Sequence, residues 1–571
     1  MFRSFLLPLL AASASIAAPI EERATAPAVT IQNGTVVGSI SSGVDSFKGI
    51  PFAQPPTGTL RLKPPHTITA TYGTITATGT PTACPQFASQ VDTTNIPSDV
   101  LGTLLDSPIG QAIEVEGEDC LTMNVQRPSG TTSSSKLPVI LWIFGGGFEA
   151  GSTANNDGSN FVSESVKLGQ PVIYVSVNYR LGGFGFLAGS DLANEHSTNL
   201  GLRDQRLGLQ WAQENIAAFG GDPTKVTIWG ESAGAISVFD QTVINGGDNT
   251  YKGKPMFRGA IMDSGSIVAA DTVTAPQAQN VYDTVVANAG CSGSSDKLAC
   301  LRALPYEQYL TAANSVPGIF SYRSLDLSYL PRPDPGDNFY SVSPEVSVTD
   351  GAFTKVPIII GDQKDEGTLF SLVQSNITTN AQLITYLASY FPGNPNAVAD
   401  VTALVSNYPD QPLLGQPAGS PFDTGSLNNI YPEFKRLAAI LGDVTFTLTR
   451  RTYLSLVSSQ VHSWSYLSSY FQGLAVLGTF HASDVIFAYG DLGETSVETQ
   501  SIQTYYISFV NSLDPNTIST ASPLIQWPQW TNASGSPQLL NFQATQNTLI
   551  TDNFRQGAYN ELSTSTSRFR V

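Results

Sequence analysis

Gly230-Glu231-Ser232-Ala233-Gly234 places a serine between glycines two positions before and two after it. The apolar run Lys225-Val226-Thr227-Ile228-Trp229 leads in, and an apolar segment with helical character leads out. A strand–turn–helix of this kind holds the serine on a strained, exposed backbone position, where Oγ can meet a carbonyl carbon. The chemistry implied is acyl transfer through a tetrahedral intermediate, which needs donors aimed at the developing oxyanion. Gly145-Gly146-Gly147-Phe148 follows a second apolar run, Val139–Phe144, upstream of the serine. Without a Cβ the backbone amides there are open to approach. Gly146, Gly147 and Ala233 are therefore the candidate oxyanion donors.

Such a serine needs a base and an acid from elsewhere in the chain. Only four histidines are present: His66, His196, His462 and His481. In chain order a serine, then an acid, then a histidine is the arrangement expected with a strand–turn–helix serine. His481, in Gly478-Thr479-Phe480-His481, fits that order, and His462 competes with it. An acid should follow a core strand between serine and histidine. Val356–Ile360 runs into Gly361-Asp362-Gln363-Lys364-Asp365-Glu366, where Asp362, Asp365 and Glu366 all compete and spacing does not choose. Gly183-Phe184-Gly185-Phe186-Leu187-Ala188 imitates a dinucleotide fingerprint, but no helix and acid-terminated strand follow it.

Short runs that are apolar throughout, rather than alternating, position these residues: Val139–Phe144, Pro171–Val177, Val226–Trp229, Arg258–Met262 and Val356–Ile360. Such runs suit a sheet buried on both faces. Between them, Arg203–Phe219 has helical spacing and stops at Gly220-Gly221-Asp222-Pro223. Alternating strands and helices predict an α/β fold with a large, mostly parallel central sheet flanked by helices. Residues from about 290 to 460, with Glu433–Val457 the clearest stretch, read as a helical cap inserted in that scaffold.

Composition narrows the partners. With 28 Lys+Arg against 46 Asp+Glu the net charge is −18, which disfavours nucleic acid and anionic membrane surfaces. Charged residues make up 13% of the chain, about half the usual ~25%, while 41% are hydrophobic, so extensive disorder is excluded. Arg3, the apolar stretch Phe5–Ile16 and the small residues around Ala17 read as a secretory signal peptide over 1–17, leaving one domain over 18–571. The run is too short for a transmembrane segment. Asn33, Asn376 and Asn532 begin N-x-S/T sequons and are glycosylation candidates. Cys84, Cys120, Cys291 and Cys300 are an even set that suits two disulfides in a secreted chain. No Cys/His spacing suits a metal, and no cofactor is expected.

Several stretches together resemble the fungal type-B carboxylesterase/lipase family of α/β-hydrolases, the group of the Candida rugosa and Geotrichum candidum lipases. They are Phe47–Ala53, Glu118-Asp119-Cys120-Leu121, Gly145–Phe148, Asn178-Tyr179-Arg180, Gly220–Pro223, Gly230–Gly234, Asp365-Glu366-Gly367-Thr368 and Gly478–His481. The resemblance implies an α/β-hydrolase fold, a Ser232–Glu366–His481 triad and the disulfides Cys84–Cys120 and Cys291–Cys300. It also implies a lid in the disulfide-closed loop 85–119, where Leu101, Leu104 and Leu105 sit at i, i+3 and i+4 and Pro108 divides the segment. The activity implied is secreted, extracellular hydrolysis of hydrophobic carboxylic esters at a lipid–water interface. Triacylglycerol lipase is the first reading, with sterol esterase or general carboxylesterase as alternatives. A non-catalytic adhesion protein on the same scaffold is the competing class, and the complete serine, histidine and acid set argues against it.

Overall fold

The computed structural model describes residues 26–87, 96–105, 115–411, 427–491, 493, 496–518, 523–533 and 535–571. The expected signal peptide, 1–17, lies outside the described residues.

Eleven strands form the central sheet. In chain order they are β1 (Ser39–Ser41), β2 (Val44–Pro51), β3 (Thr122–Pro128), β4 (Leu137–Ile143), β5 (Ile173–Val177) and β6 (Gly221–Glu231). Then come β7 (Gly259–Asp263), β8 (Ile358–Gln363), β9 (Ser463–Ser468), β10 (Gln538–Phe542) and β11 (Thr548–Thr551). Their spatial order is β1-β2-β3-β5-β4-β6-β7-β8-β9-β10-β11. From β5 through β10 neighbours run parallel. The pairs at the two ends are antiparallel. The centre is buried on both faces, with every residue of β5, β7 and β8 hidden, as the unbroken apolar runs require.

The strands extend past their apolar runs. β7 ends on Asp263, and β8 continues through Asp362 to Gln363, all buried. The helix expected at Arg203–Phe219 is α2 (Leu200–Asn215), closed by one 3₁₀ turn and by Gly220 at φ 90°. It follows α1 (Ser98–Leu105) in the chain and precedes α3 (Ala233–Val243), the helix behind Ser232.

Among the described residues of 290–460 short helices alternate with turns and irregular stretches, and β8 of the central sheet runs through them, so the helices fall on either side of a core strand. The stretch Glu433–Val457 is two helices, α4 (Phe434–Gly442) and α5 (Leu448–Val457), joined by a π-helical turn at Asp443–Thr447. The apolar face of α4, with Phe446 and Leu448, forms a second core with Leu383, Leu387, Val401 and Leu404, whereas Tyr453, Leu454 and Val457 of α5 pack into the core around the sheet. Both expected disulfides are present, Cys84–Cys120 and Cys291–Cys300.

Candidate active site

Ser232 stands where β6 ends and α3 begins, at φ 55° and ψ −126°. A non-glycine residue is strained there, and the turn's close packing maintains it. A Cβ on Gly230 would lie 2.4 Å from the Gly234 carbonyl oxygen, and one on Gly234 would lie 2.0 Å from Ile143 O. Only glycine fits at either position, so the reversal is as tight as the sequence spacing implies. The Ser232 amide donates to Asp263 O at 2.8 Å, tying the turn to the end of β7. Helix α3 starts at Ala233, so its dipole places partial positive charge beside Oγ.

The Gly145–Gly147 loop follows β4, the neighbour of β6. Gly146 has φ 99°, and the amides of Glu149 and Ala150 both donate to its carbonyl, at 3.0 Å each. That turn sets the loop beside Ser232: Gly145, Gly146, Gly147 and Ser232 line one cavity with His481. Ala233 lines the adjoining cavity with Gly147 and Ser232.

The three competing acids have different partners. Asp362 Oδ2 accepts from Arg450 Nε at 2.6 Å, and the same guanidinium holds Asp552 and Ser465 Oγ, all buried. Asp365 Oδ2 accepts from the Thr479 amide at 2.7 Å, and its own amide donates to Thr479 O at 2.9 Å. It therefore pins the loop that carries His481. Glu366 Oε2 lies 2.5 Å from His481 Nδ1, and its other oxygen accepts from the Gln363 amide at 2.6 Å. His481 Nε2 has no hydrogen-bond partner among the described residues and lies 3.3 Å from Glu231 Oε1. Phe370 and Phe446 flank the imidazole, with ring centroids at 5.0 and 4.5 Å. The π turn between α4 and α5 supplies Phe446.

His462 is exposed and bonded to Gln529, just before β9. In a parallel sheet that is the edge opposite the one where Ser232, Glu366 and His481 emerge. The geometry thus separates the two histidines that chain order left in competition.

Two cavities meet at Ser232, sharing Gly147 and Ile319. One is narrow, about 90 Å³, and runs beneath the helical layer past Leu387, Phe391, Val401 and Leu404. The other is wider, about 500 Å³, and contains the glycine loop, His481, Gln86 and Asn155. Set together, these groups can bind an ester carbonyl at Ser232 with an apolar chain on one side and a larger, more polar group on the other.

The sequence matches the carboxylesterase family over residues 25–561. The chain belongs to the carboxylesterase family. It is similar to Secreted lipase 1 of Botryotinia fuckeliana, 54% identical over 575 residues that cover 100% of this chain and 98% of that one. Secreted triacylglycerol lipase LIP1 of Gibberella zeae is 51% identical, covering 95% of this chain and 90% of its own. Lipase 5 of Diutina rugosa is 46% identical over 96% of this chain and 98% of its own. Among solved structures, the crystal structure of Aspergillus niger EstA superposes with a TM-score of 0.77 at 25% identity, covering 96% of this chain and 99% of that one. This carboxylesterase is thus a carboxylic ester hydrolase on the α/β-hydrolase fold.

Beneath the site the carboxylesterase buries acids that sequence reasoning passed over. Glu231, the variable residue before the serine, is hidden; burial first, then Glu366 and Asp263, hold its carboxyl well above the usual range. Asp263 accepts from Trp229 Nε1 and Tyr506 OH, both at 2.6 Å, and burial raises it to about 6. The available signal was an acid set inside or against an apolar strand, at Glu231 and Asp263.

Of the lid candidates, Leu101 is half-buried on α1 against the second core, beside Val100 and Ile96. The side chains of Leu104 and Leu105, and residues 106–114 with Pro108, lie outside the described residues. Asn376 and Asn532 are exposed; Asn33 is half-buried and donates to Ile68 O and Ala70 O. Among the described residues no cluster of His, Cys, Asp and Glu suits a metal, and no helix is long and apolar enough to cross a membrane.

Proposed function

We propose that this carboxylesterase is a secreted triacylglycerol lipase in which Ser232, His481 and Glu366 are the catalytic triad. The supporting observation is the pair of cavities meeting at Ser232: the narrow apolar one suits an acyl chain, the wider one the alcohol portion. Secreted lipases among its relatives, at 54% and 51% identity, support the same substrate class.

His481 Nε2 accepts the Ser232 Oγ proton as Oγ bonds to the carbonyl carbon. The carbonyl π pair moves to oxygen, which the amides of Gly146, Gly147 and Ala233 receive. Glu366 fixes the imidazole through Nδ1 and stabilises the imidazolium. The tetrahedral centre collapses, the C–O bond to the alcohol breaks, and the imidazolium proton goes to the leaving oxygen. Water, deprotonated by His481, then attacks the acyl-enzyme and releases the acid and Ser232. Phe370 and Phe446 shield the imidazole from bulk water. Helix α1, inside the loop closed by Cys84–Cys120 and packed against the second core, is the described part of the candidate lid.

Turnover of p-nitrophenyl esters of rising chain length, tributyrin, triolein and cholesteryl oleate tests the substrate class. Triolein hydrolysis and a preference for longer acyl chains are expected. Preference for acetyl esters without triolein turnover would leave a short-chain carboxylesterase. A bulky alcohol also suits the 500 Å³ cavity, and cholesteryl oleate turnover above triolein would make the enzyme a sterol esterase.

A further inference from the structure

Glu149 closely follows the glycine loop, and three bonds fix it in place. Its amide donates to Gly146 O at 3.0 Å, and its carbonyl accepts from the Phe87 amide at 2.8 Å. Its side chain crosses to a distant segment, where Oε2 accepts from the Ile319 amide at 2.8 Å. The residue is 1% exposed, and among the described residues its other oxygen has no hydrogen-bond partner. Ile319 is itself part of the site: it lines both cavities, and its Cδ1 lies 2.6 Å from where a Cβ on Gly147 would stand. One carboxyl thus joins the turn that presents two amide donors to the side chain that packs on one of them.

We propose that Glu149 is a positioning residue, its carboxyl latching the Gly145–Gly147 loop to Ile319 so that the Gly146 and Gly147 amides stay aimed at the oxyanion. The inference rests on the assignment of Ser232 and those amides to ester hydrolysis.

Its protonation matters because Glu149 lines the cavity in which negative charge develops. No cation bonds to it among the described residues. Burial pushes its carboxyl up to about 8, and the Ile319 amide offsets this only in part. The groups around it do not supply a positive charge. Tyr329 behind it is raised by its own burial, and Arg323 on the Ile319 segment is paired with Asp326. Glu116 accepts from the Gln86 amide and Tyr306 OH. Glu231 and His481, the remaining titratable groups of the cavity, lie together at 3.3 Å. A neutral Glu149 adds no repulsion to the oxyanion; an ionised one does, and it carries an uncompensated buried charge.

The test is kcat and KM on tributyrin from pH 5 to 10 for the wild type and for Glu149→Gln, Glu149→Asp and Glu149→Ala. Gln keeps an oxygen for the Ile319 amide and cannot ionise; Asp keeps the acid but is too short to reach. Wild-type kcat is expected to fall as pH rises through about 8, and Glu149→Gln to lack that limb. At pH 7, Ala and Asp should lose at least about tenfold in kcat with KM little changed, as misplaced donors predict, and Gln should recover most of it. The same alkaline limb in Glu149→Gln, or wild-type kcat in Glu149→Ala, would overturn the proposal. Should Glu149→Gln not fold, Glu149→Asp decides it, since wild-type kcat in a folded Asp variant is equally contrary. Full turnover by Ser232→Ala would instead reject the underlying triad, and the proposal with it.

Discussion

Glu366 and Asp365 are adjacent in the chain, yet one meets the His481 ring and the other the Thr479 backbone amide. Removing their charges therefore has different consequences. Glu366→Gln should leave the fold intact and cut kcat by roughly 10³–10⁴ with KM nearly unchanged, because the imidazole loses the partner that fixes its tautomer. Asp365→Asn should act first on stability, lowering Tm through the loop that carries His481. Steady-state kinetics and thermal melts on the two variants separate these roles; a large kcat loss in a fully stable Asp365→Asn would contradict the division. The serine, the glycine loop and the order of serine, acid and histidine were legible in local pattern. The choice among Asp362, Asp365 and Glu366 was not, since partners such as Arg450 and Thr479 come from distant segments. The family resemblance, not spacing, pointed to Glu366.

At the scale of elements, β8 and β9 are tied by buried charge as well as by backbone bonds. Arg450 on α5 bonds Asp362 at the end of β8, Ser465 Oγ on β9 and Asp552, with its guanidinium and both carboxylates almost fully buried. Arg450→Leu would strand Asp362 without a cation, while Asp552 keeps Arg451, and should cost about 3–5 kcal/mol. Urea denaturation measures it, and a loss under 1 kcal/mol, the scale of an exposed pair, would contradict burial of the network. These contacts also explain what sequence reading missed here. Strand ends were read short because Asp263, Asp362 and Gln363 are polar, although buried hydrogen-bonding partners make them core residues. The π turn at Asp443–Thr447 left no mark in an apolar periodicity that continues through it.

For the whole molecule, the scarcity of charge coexists with several buried acids. Burial is the leading cause that pushes Glu149, Asp240, Asp365 and Glu498 up to about 8. In the unfolded chain these groups titrate near 4, so between about pH 4 and 8 the folded state binds more protons. Their contribution to stability is complete at the acid end of that window and is lost as pH rises. Asp552 acts in the opposite sense: burial favours its neutral form, but Arg450 and Arg451 outweigh this and hold it down at about 2. Its contribution is lost as pH falls from about 4 towards 2. Tm should therefore be higher at pH 5 than at pH 8, which calorimetry at matched ionic strength can establish; a higher Tm at pH 8 would contradict it. Net charge indicated an acidic protein, but not that part of its acid content is neutral and internal, because composition carries no burial.

The proposed catalytic role of Ser232 underlies the kinetic expectations, and a long-chain alkyl fluorophosphonate with adduct mapping tests it most directly. One phosphonyl group per chain should appear on Ser232, in step with complete loss of tributyrin hydrolysis, and Ser232→Ala should neither react nor turn over substrate. Hydrolysis persisting in Ser232→Ala, or inactivation through a different residue, would contradict the assignment.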